Sequence, residues 1–132
     1  MTPVLDASAL LAHLRDEPGA EVAAEAIASG AVISTVNLAE VFSRVADRGG
    51  DAAQLAAELT QSGLLDGAIT VEPFTTADAI EAARLRPLTR DAGLSLGDRA
   101  CLALARRLDA PALTADIDWQ GVAHGVDLCP IR

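Results

Sequence analysis

Ala31-Val32-Ile33-Ser34-Thr35-Val36-Asn37-Leu38-Ala39-Glu40-Val41 contains the change of period that decides the fold. Ala31 to Ser34 reads as a short strand. It leads directly into a helix from about Val36 to Arg48, which Gly49 and Gly50 stop. The same strand-then-helix unit recurs on either side. Upstream, Thr2 to Leu5 reads as a strand and Ala7 to Leu14 as a short helix, and after Pro18 and Gly19 come Val22, Ala23, Ala26 and Ile27 at helical spacing. Downstream, Leu55 and Leu59 place a helix between Asp51 and Ser62, and Ile69 to Pro73 reads as a third strand. Thr75 and Asp78 form a capping-box pair that opens a helix carrying Ile80 and Ala83. Arg86 to Gly93, with its Pro, Gly and charges, reads as a loop. Leu96 to Leu108 is apolar nearly all round, as a helix buried on more than one side would be. Ala112 to Thr114 and Val126 to Cys129 supply two more strands. Strands alternating with helices imply βαβ units, hence an α/β, three-layer α/β/α fold around a short parallel sheet of about five strands. A chain of 132 residues makes one domain, spanning residues 1–132.

Composition narrows the chemistry. Half the residues are hydrophobic (51%), yet only one Trp, two Phe and no Tyr are present, so Leu, Val, Ile and Ala must build the core. The longest unbroken apolar run, Ala100 to Ala105, is far short of the ~20 residues that span a bilayer. With no basic, then apolar opening segment, the chain is expected in the cytoplasm. Cys101 and Cys129 stand apart without a Cys/His pairing, so they read as small core residues rather than zinc ligands. The net charge is −9, and all ten cations are Arg. The absence of Lys removes a P-loop and a phosphoryl-acceptor site of the kind that holds its phosphoryl group with Lys. No G-x-G-x-x-G supports a dinucleotide site. His13 and His124 are the only imidazoles and read as surface or satisfied residues. An acidic chain is not a general nucleic-acid binder. If it acts on nucleic acid, a metal ion and local Arg clusters must do the recruiting.

Four carboxylates sit where a strand has just ended or a helix begins: Asp6, Glu40, Asp98 and Asp116. Asp118 follows closely as a second candidate for the fourth acid. Each also fits a local capping role. Asn37 with Glu40 and Ser95 with Asp98 match capping boxes, Asp6 an N-cap, and Asp116 an Asx-turn. In a parallel α/β sheet, however, all four positions collect at one edge, where such folds bind ligands. Carboxylates ~6 Å apart repel by about 3 kcal/mol per pair at an effective dielectric of about 20. A divalent cation relieves that repulsion. Hard oxygen donors, one or two direct carboxylates and retained waters describe Mg²⁺ or Mn²⁺.

The stretches Val4-Leu5-Asp6-Ala7-Ser8-Ala9-Leu10, Asn37-Leu38-Ala39-Glu40-Val41, Leu94 to Ala105 and Leu113-Thr114-Ala115-Asp116 resemble the four motifs of PIN-domain toxins, most nearly the VapC type of bacterial toxin–antitoxin pairs. The resemblance runs over essentially the whole chain. It implies a PIN-like fold in which Asp6, Glu40, Asp98 and Asp116 hold Mg²⁺ or Mn²⁺ and water attacks an RNA phosphodiester. It further implies a homodimer, a cognate VapB-type antitoxin whose tail covers the site, and structured RNA as substrate. Asn37 departs from the pattern, since Thr is commoner there, which changes the polar support of Glu40. Ser8 and Thr114 are candidate supporting hydroxyls. Arg84, Arg86, Arg90 and Arg99 flank the acids in sequence as a candidate phosphate-binding patch. The competing reading is a non-catalytic PIN-like module that binds RNA or protein through a vestigial acidic site.

Overall fold

The computed structural model describes residues 2–132. Five strands form one sheet: β1 (Val4–Leu5), β2 (Ala31–Ser34), β3 (Ile69–Glu72), β4 (Ala112–Thr114) and β5 (Leu128–Pro130). All four pairings are parallel, and the order is β3-β2-β1-β4-β5. Six helices surround it: α1 (Ala7–Arg15), α2 (Ala20–Ala28), α3 (Thr35–Asp47), α4 (Ala52–Gln61), α5 (Thr76–Thr89) and α6 (Leu96–Arg107). This is the expected three-layer α/β/α arrangement.

The two-residue period of the strands sorts the core into two halves. Leu5, Ile33 and Leu113 face one side, where they meet Ala9, Leu10 and Ala12 of α1, Ile27 of α2 and Val41 of α3. Val4, Val32 and Ala112 face the other, against Leu85 of α5, Cys101, Leu102, Leu104 and Ala105 of α6, and Trp119. α6 lies between sheet and α5, so Ala100 to Ala105 is buried all round, and small Ala side chains allow that close approach. Cys101 is a core residue there, as expected, and both cysteines are free.

The reading of Arg86 to Gly93 as a loop needs correction, because α5 continues to Thr89 with Pro87 inside it. Proline removes one helical hydrogen bond and crowds the preceding turn. Packing outweighs that local cost: Ala82 and Leu85 are buried under α6, the Thr89 hydroxyl donates to Leu85 O (2.8 Å), and Arg99 donates to Ala82 O (2.8 Å). The stripe of α5 is also shifted from the expected one. Ile80 is exposed, and Asp78, Ala82, Leu85 and Thr89 point inward instead. Asp78 forms its capping box with Thr75 and accepts two hydrogen bonds from Arg107 on α6 (2.8 and 3.1 Å). The outer strands are displaced slightly, with β3 ending at Glu72 and β5 beginning at Leu128. Among the described residues no helix is long and apolar enough to cross a membrane.

Candidate active site

The order β3-β2-β1-β4-β5 places β1 at the point where the connections reverse direction, the usual ligand crevice of an open parallel sheet. Leu5 pairs with Ile33 and with Leu113, so the next residue, Asp6, emerges between Ser34 and Thr114. Asp6 caps α1 by accepting from the Ala9 N–H (2.9 Å). It also accepts from the Ser8 hydroxyl (2.7 Å) on the same oxygen and from the Thr114 hydroxyl (2.6 Å) on the other. Those hydroxyls are themselves oriented, Ser8 Oγ by the Ala115 N–H and Thr114 Oγ1 by the Asp116 N–H, each at 2.9 Å. Ser8 and Thr114 are thus the supporting hydroxyls expected of them.

Glu40 reaches the site from α3, though not through the anticipated capping box. The N-cap of α3 is Ser34, which accepts from the Val36 N–H (3.2 Å), because this hydroxyl at the strand end comes first. Asn37 therefore lies inside the helix, where it is buried. Its amide forks, donating to Glu40 Oε1 and to Gly97 O, both at 2.9 Å. That fork ties Glu40 to the first turn of α6. Gly97 is required there, since a Cβ at that position would fall on the Glu40 carboxylate. One residue later Asp98 closes the capping box with Ser95, accepting from the Ser95 N–H (2.9 Å) while the Ser95 hydroxyl accepts from the Asp98 N–H (3.1 Å).

Asp116 caps a 3-10 turn (Ile117–Trp119) and accepts from the Asp118 N–H (2.8 Å). This turn is anchored by the sole indole, three residues after Asp116. Trp119 is wholly buried against α6, and His124 clamps its carbonyl. The Val126 N–H donates to His124 Nδ1 (3.1 Å), so Nε2 carries the proton donated to Trp119 O (3.0 Å). A single large apolar residue near an acid was signal enough, because leaving a Trp in water forfeits the most burial.

Asp6, Glu40, Asp98 and Asp116 line one cavity of about 310 Å³. Asp118 does not line it and is exposed, so Asp116 is the fourth acid of the cavity. The capping and ligand readings of these residues prove compatible. Glu40, Asp98 and Asp116 each commit one oxygen to the protein, through Asn37, Ser95 and Asp118 respectively. The second oxygen of each accepts no hydrogen bond among the described residues. The Trp119 indole N–H lies near enough to pull the Asp98 pKa down a little, but no acceptor meets hydrogen-bond geometry with it.

Burial first, and mutual repulsion after it, raises the pKa of two of the acids. Burial, reinforced by the charge of Asp98, pushes Asp6 up from 3.8 to about 6 despite its three hydrogen bonds. Asp98 is raised as well, first by burial and then by Asp116. Among the described residues no three His, Cys, Asp or Glu side chains stand close enough together to enclose a metal ion. The hard oxygen donors lining the cavity fit a cation held by one or two carboxylates with water filling the remaining positions, the usual manner of Mg²⁺. They do not fit an all-protein cage.

The raised pKa of Asp6 has a measurable consequence. Between about pH 4 and 6 the folded state keeps a proton that the unfolded chain has released, so metal-free stability falls as pH rises through that window. Above pH 6 the whole cost is present, about 3 kcal/mol at about 1.4 kcal/mol per unit. In EDTA, Asp6→Asn should melt higher than wild type at pH 7.5, by on the order of 10 °C, with the gap closing toward pH 4. Equal melting temperatures at pH 7.5 would show that Asp6 bears no such burden.

A family model described as the PIN domain matches residues 4–125. The chain belongs to the PIN-domain family. This PIN domain shares its fold with a toxin–antitoxin complex from Klebsiella pneumoniae, at TM-score 0.73 and 17% identity over 99% of this chain and 98% of that one. It is similarly close to VapC20 of Mycobacterium tuberculosis, described as a toxin cleaving the sarcin–ricin loop, at TM-score 0.71 and 20% identity over 93% and 98%. FitAcB of Neisseria gonorrhoeae superposes at TM-score 0.72 and 22% identity, covering 98% of both chains. No curated protein shows significant similarity to it by sequence.

The proposed arginine patch of this PIN domain is corrected by the structure. Arg84 is held by Glu81 through three short contacts, Arg99 is buried with its guanidinium on Ala82 O, and neither these two nor Arg86 and Arg90 line the cavity. Neighbours in sequence to the acids are carried away on α5, or into the core on α6. The cations that do line the cavity are Arg15, Arg44 and Arg132. None of them was singled out from the sequence, and the one available signal was the place of Arg44 one helical turn beyond Glu40.

Proposed function

We propose that this PIN domain is a metal-dependent endoribonuclease acting as the toxin of a toxin–antitoxin pair. The observation that carries the reading is the convergence of Asp6, Glu40, Asp98 and Asp116, from four distant stretches, on one cavity at the sheet's reversal point. These four residues would hold Mg²⁺ or Mn²⁺. Such an ion supplies positive charge to the phosphoryl oxygens and lowers the pKa of water. The chain's own part is to fix the donors. Thr114, Ser8 and the Ala9 N–H hold Asp6, Asn37 holds Glu40 against α6, and two caps hold Asp98 and Asp116. Glu40, Asp98 and Asp116 each keep one oxygen free of protein hydrogen bonds, and one of the four carboxylates would take the proton from the attacking water.

The antitoxin partner is supported by solved relatives that are described as toxin–antitoxin complexes. A VapB-type partner inserting Arg side chains among the acids would use the bidentate pairing that Arg makes with carboxylates. A cytoplasmic homodimer completes the proposal. One observation favours the competing vestigial module: among the described residues no three acids stand close enough together to enclose a metal ion. Incubating the purified protein with total RNA in Mn²⁺, Mg²⁺ or EDTA decides between the two. Cleavage in either ion and none in EDTA is expected. Cleavage that persists in excess EDTA would contradict metal dependence, and RNA bound but left intact in both ions would establish the non-catalytic module.

A further inference from the structure

Three guanidinium groups ring the acidic cavity without neutralising it. Arg15, Arg44 and Arg132 line the same space as Asp6, Glu40, Asp98 and Asp116, with Glu17 as the one further acid. Among the described residues the ion pairs are Arg84 and Arg106 with Glu81, and Arg107 with Asp78. None of the three cavity arginines lies within pairing distance of a carboxylate. In a chain of net charge −9, three cations beside an acid cluster and yet unpaired need an account.

Two of the three are held by backbone carbonyls instead. Arg15 ends α1, the helix that Asp6 caps, so it stands about 13 Å along the helix axis from that acid. Its Nη2 donates to Arg44 O (3.4 Å). Arg44 lies one turn beyond Glu40 on α3. Arg132 follows β5, where the Ile131 N–H donates to Thr114 O (3.0 Å) and Ile131 packs flat against Gly19. At Gly19, with φ +95°, any Cβ would strike the Ile131 carbonyl, so the glycine lets this segment reach the site. Arg132 Nη1 donates to Pro18 O (2.8 Å). Three separate pieces of chain thus bring cations to one rim.

We infer that Arg15, Arg44 and Arg132 form the seat for substrate phosphates flanking the one at the acids, binding the RNA backbone on the α1–α3 side of the cavity. The inference rests on the ribonuclease reading and gives that site its direction of approach. Guanidinium suits the task, since its planar fork pairs with phosphate oxygens and never loses its charge. Distance from the acids is part of the design. A cation paired to Asp6 or Glu40 would compete with metal, whereas one set back meets the neighbouring phosphate.

The test counts charges through salt. Binding of a fluorescein-labelled single-stranded RNA 12-mer is followed by anisotropy in Mg²⁺ between 50 and 200 mM KCl, with Asp6→Asn as parent to prevent turnover. Each phosphate neutralised on a single strand contributes about −0.7 to the slope of log K against log salt, so three predict about −2. Each Arg→Ala should remove about 0.7 and weaken binding, while Arg→Lys keeps the slope. Arg→Gln serves wherever Ala impairs folding. A triple variant with the parent's affinity and slope would overturn the seat, as would a parent that binds no RNA at 50 mM KCl. Equal competition by poly-glutamate at matched charge would overturn the assignment to phosphate. The two readings fail separately. Wild-type cleavage with an unchanged KM in the triple variant removes the seat alone, and RNA bound with the expected slope by a wild type that never cuts removes the nuclease alone.

Discussion

Asp6→Asn should reduce RNA cleavage by at least about a hundredfold, corresponding to about 3 kcal/mol of lost transition-state stabilisation. Asp6 is the innermost of the four acids, 5% exposed, and emerges from the central strand at the reversal point of the sheet. Its carboxylate is fixed by three donors. Asn keeps an oxygen for the Ala9 N–H and occupies the same volume, so the fold survives. It loses the charge, and with it the attraction for a cation. Cleavage assays over a range of Mn²⁺ concentrations, run beside melting curves in EDTA, measure both sides. The expected pair is a dead enzyme that is more stable than wild type at pH 7.5. Undiminished cleavage by the variant would remove Asp6 from the mechanism.

Gly97→Ala should cost activity about as dearly while leaving the fold nearly unchanged. The new methyl would overlap the Glu40 carboxylate, which is the far end of a flexible side chain and can swing away. Helix propensity favours Ala over Gly by about 1 kcal/mol, which offsets the lost contact between Asn37 and Glu40. Glu40, however, can no longer rest against the first turn of α6. Misplacing a positioned group by about 1 Å can lower a rate by about a hundredfold. The expected result is a melting temperature within a few degrees of wild type and a rate near that of Glu40→Gln. A wild-type rate for Gly97→Ala would mean that Glu40 does not need the position it holds.

The layers and the acids were legible in the sequence because both follow from local pattern. Short strands such as Ala31 to Ser34 passing straight into helices imply a parallel sheet, and parallel connections put Asp6, Glu40, Asp98 and Asp116 at one edge. What local pattern concealed was every feature decided across the fold. Pro87 looked like a stop, yet burial of Ala82 and Leu85 under α6 carries α5 past it. Asn37 looked like a cap, but its amide bridges two helices 60 residues apart in the chain. Arg99, beside Asp98 in sequence, points into the core, while Arg15 and Arg132, 117 residues apart, meet at the cavity rim. The choice between Asp116 and Asp118 also needed the 3-10 turn that the burial of Trp119 holds in place.

The central claim is that these four carboxylates act together on one divalent cation, and electron paramagnetic resonance of Mn²⁺ tests it most directly. Free Mn²⁺ gives a sharp six-line signal that fades when the ion is bound, so titration into protein reports occupancy without any substrate. Wild type should show saturable loss of signal at Mn²⁺ concentrations that support cleavage, and Asp6→Asn and Asp98→Asn should each weaken it, whereas Asp118→Asn should leave it nearly intact. Binding of equal strength in wild type, Asp6→Asn and Asp98→Asn would contradict the account, as would a wild-type signal that never fades across that range.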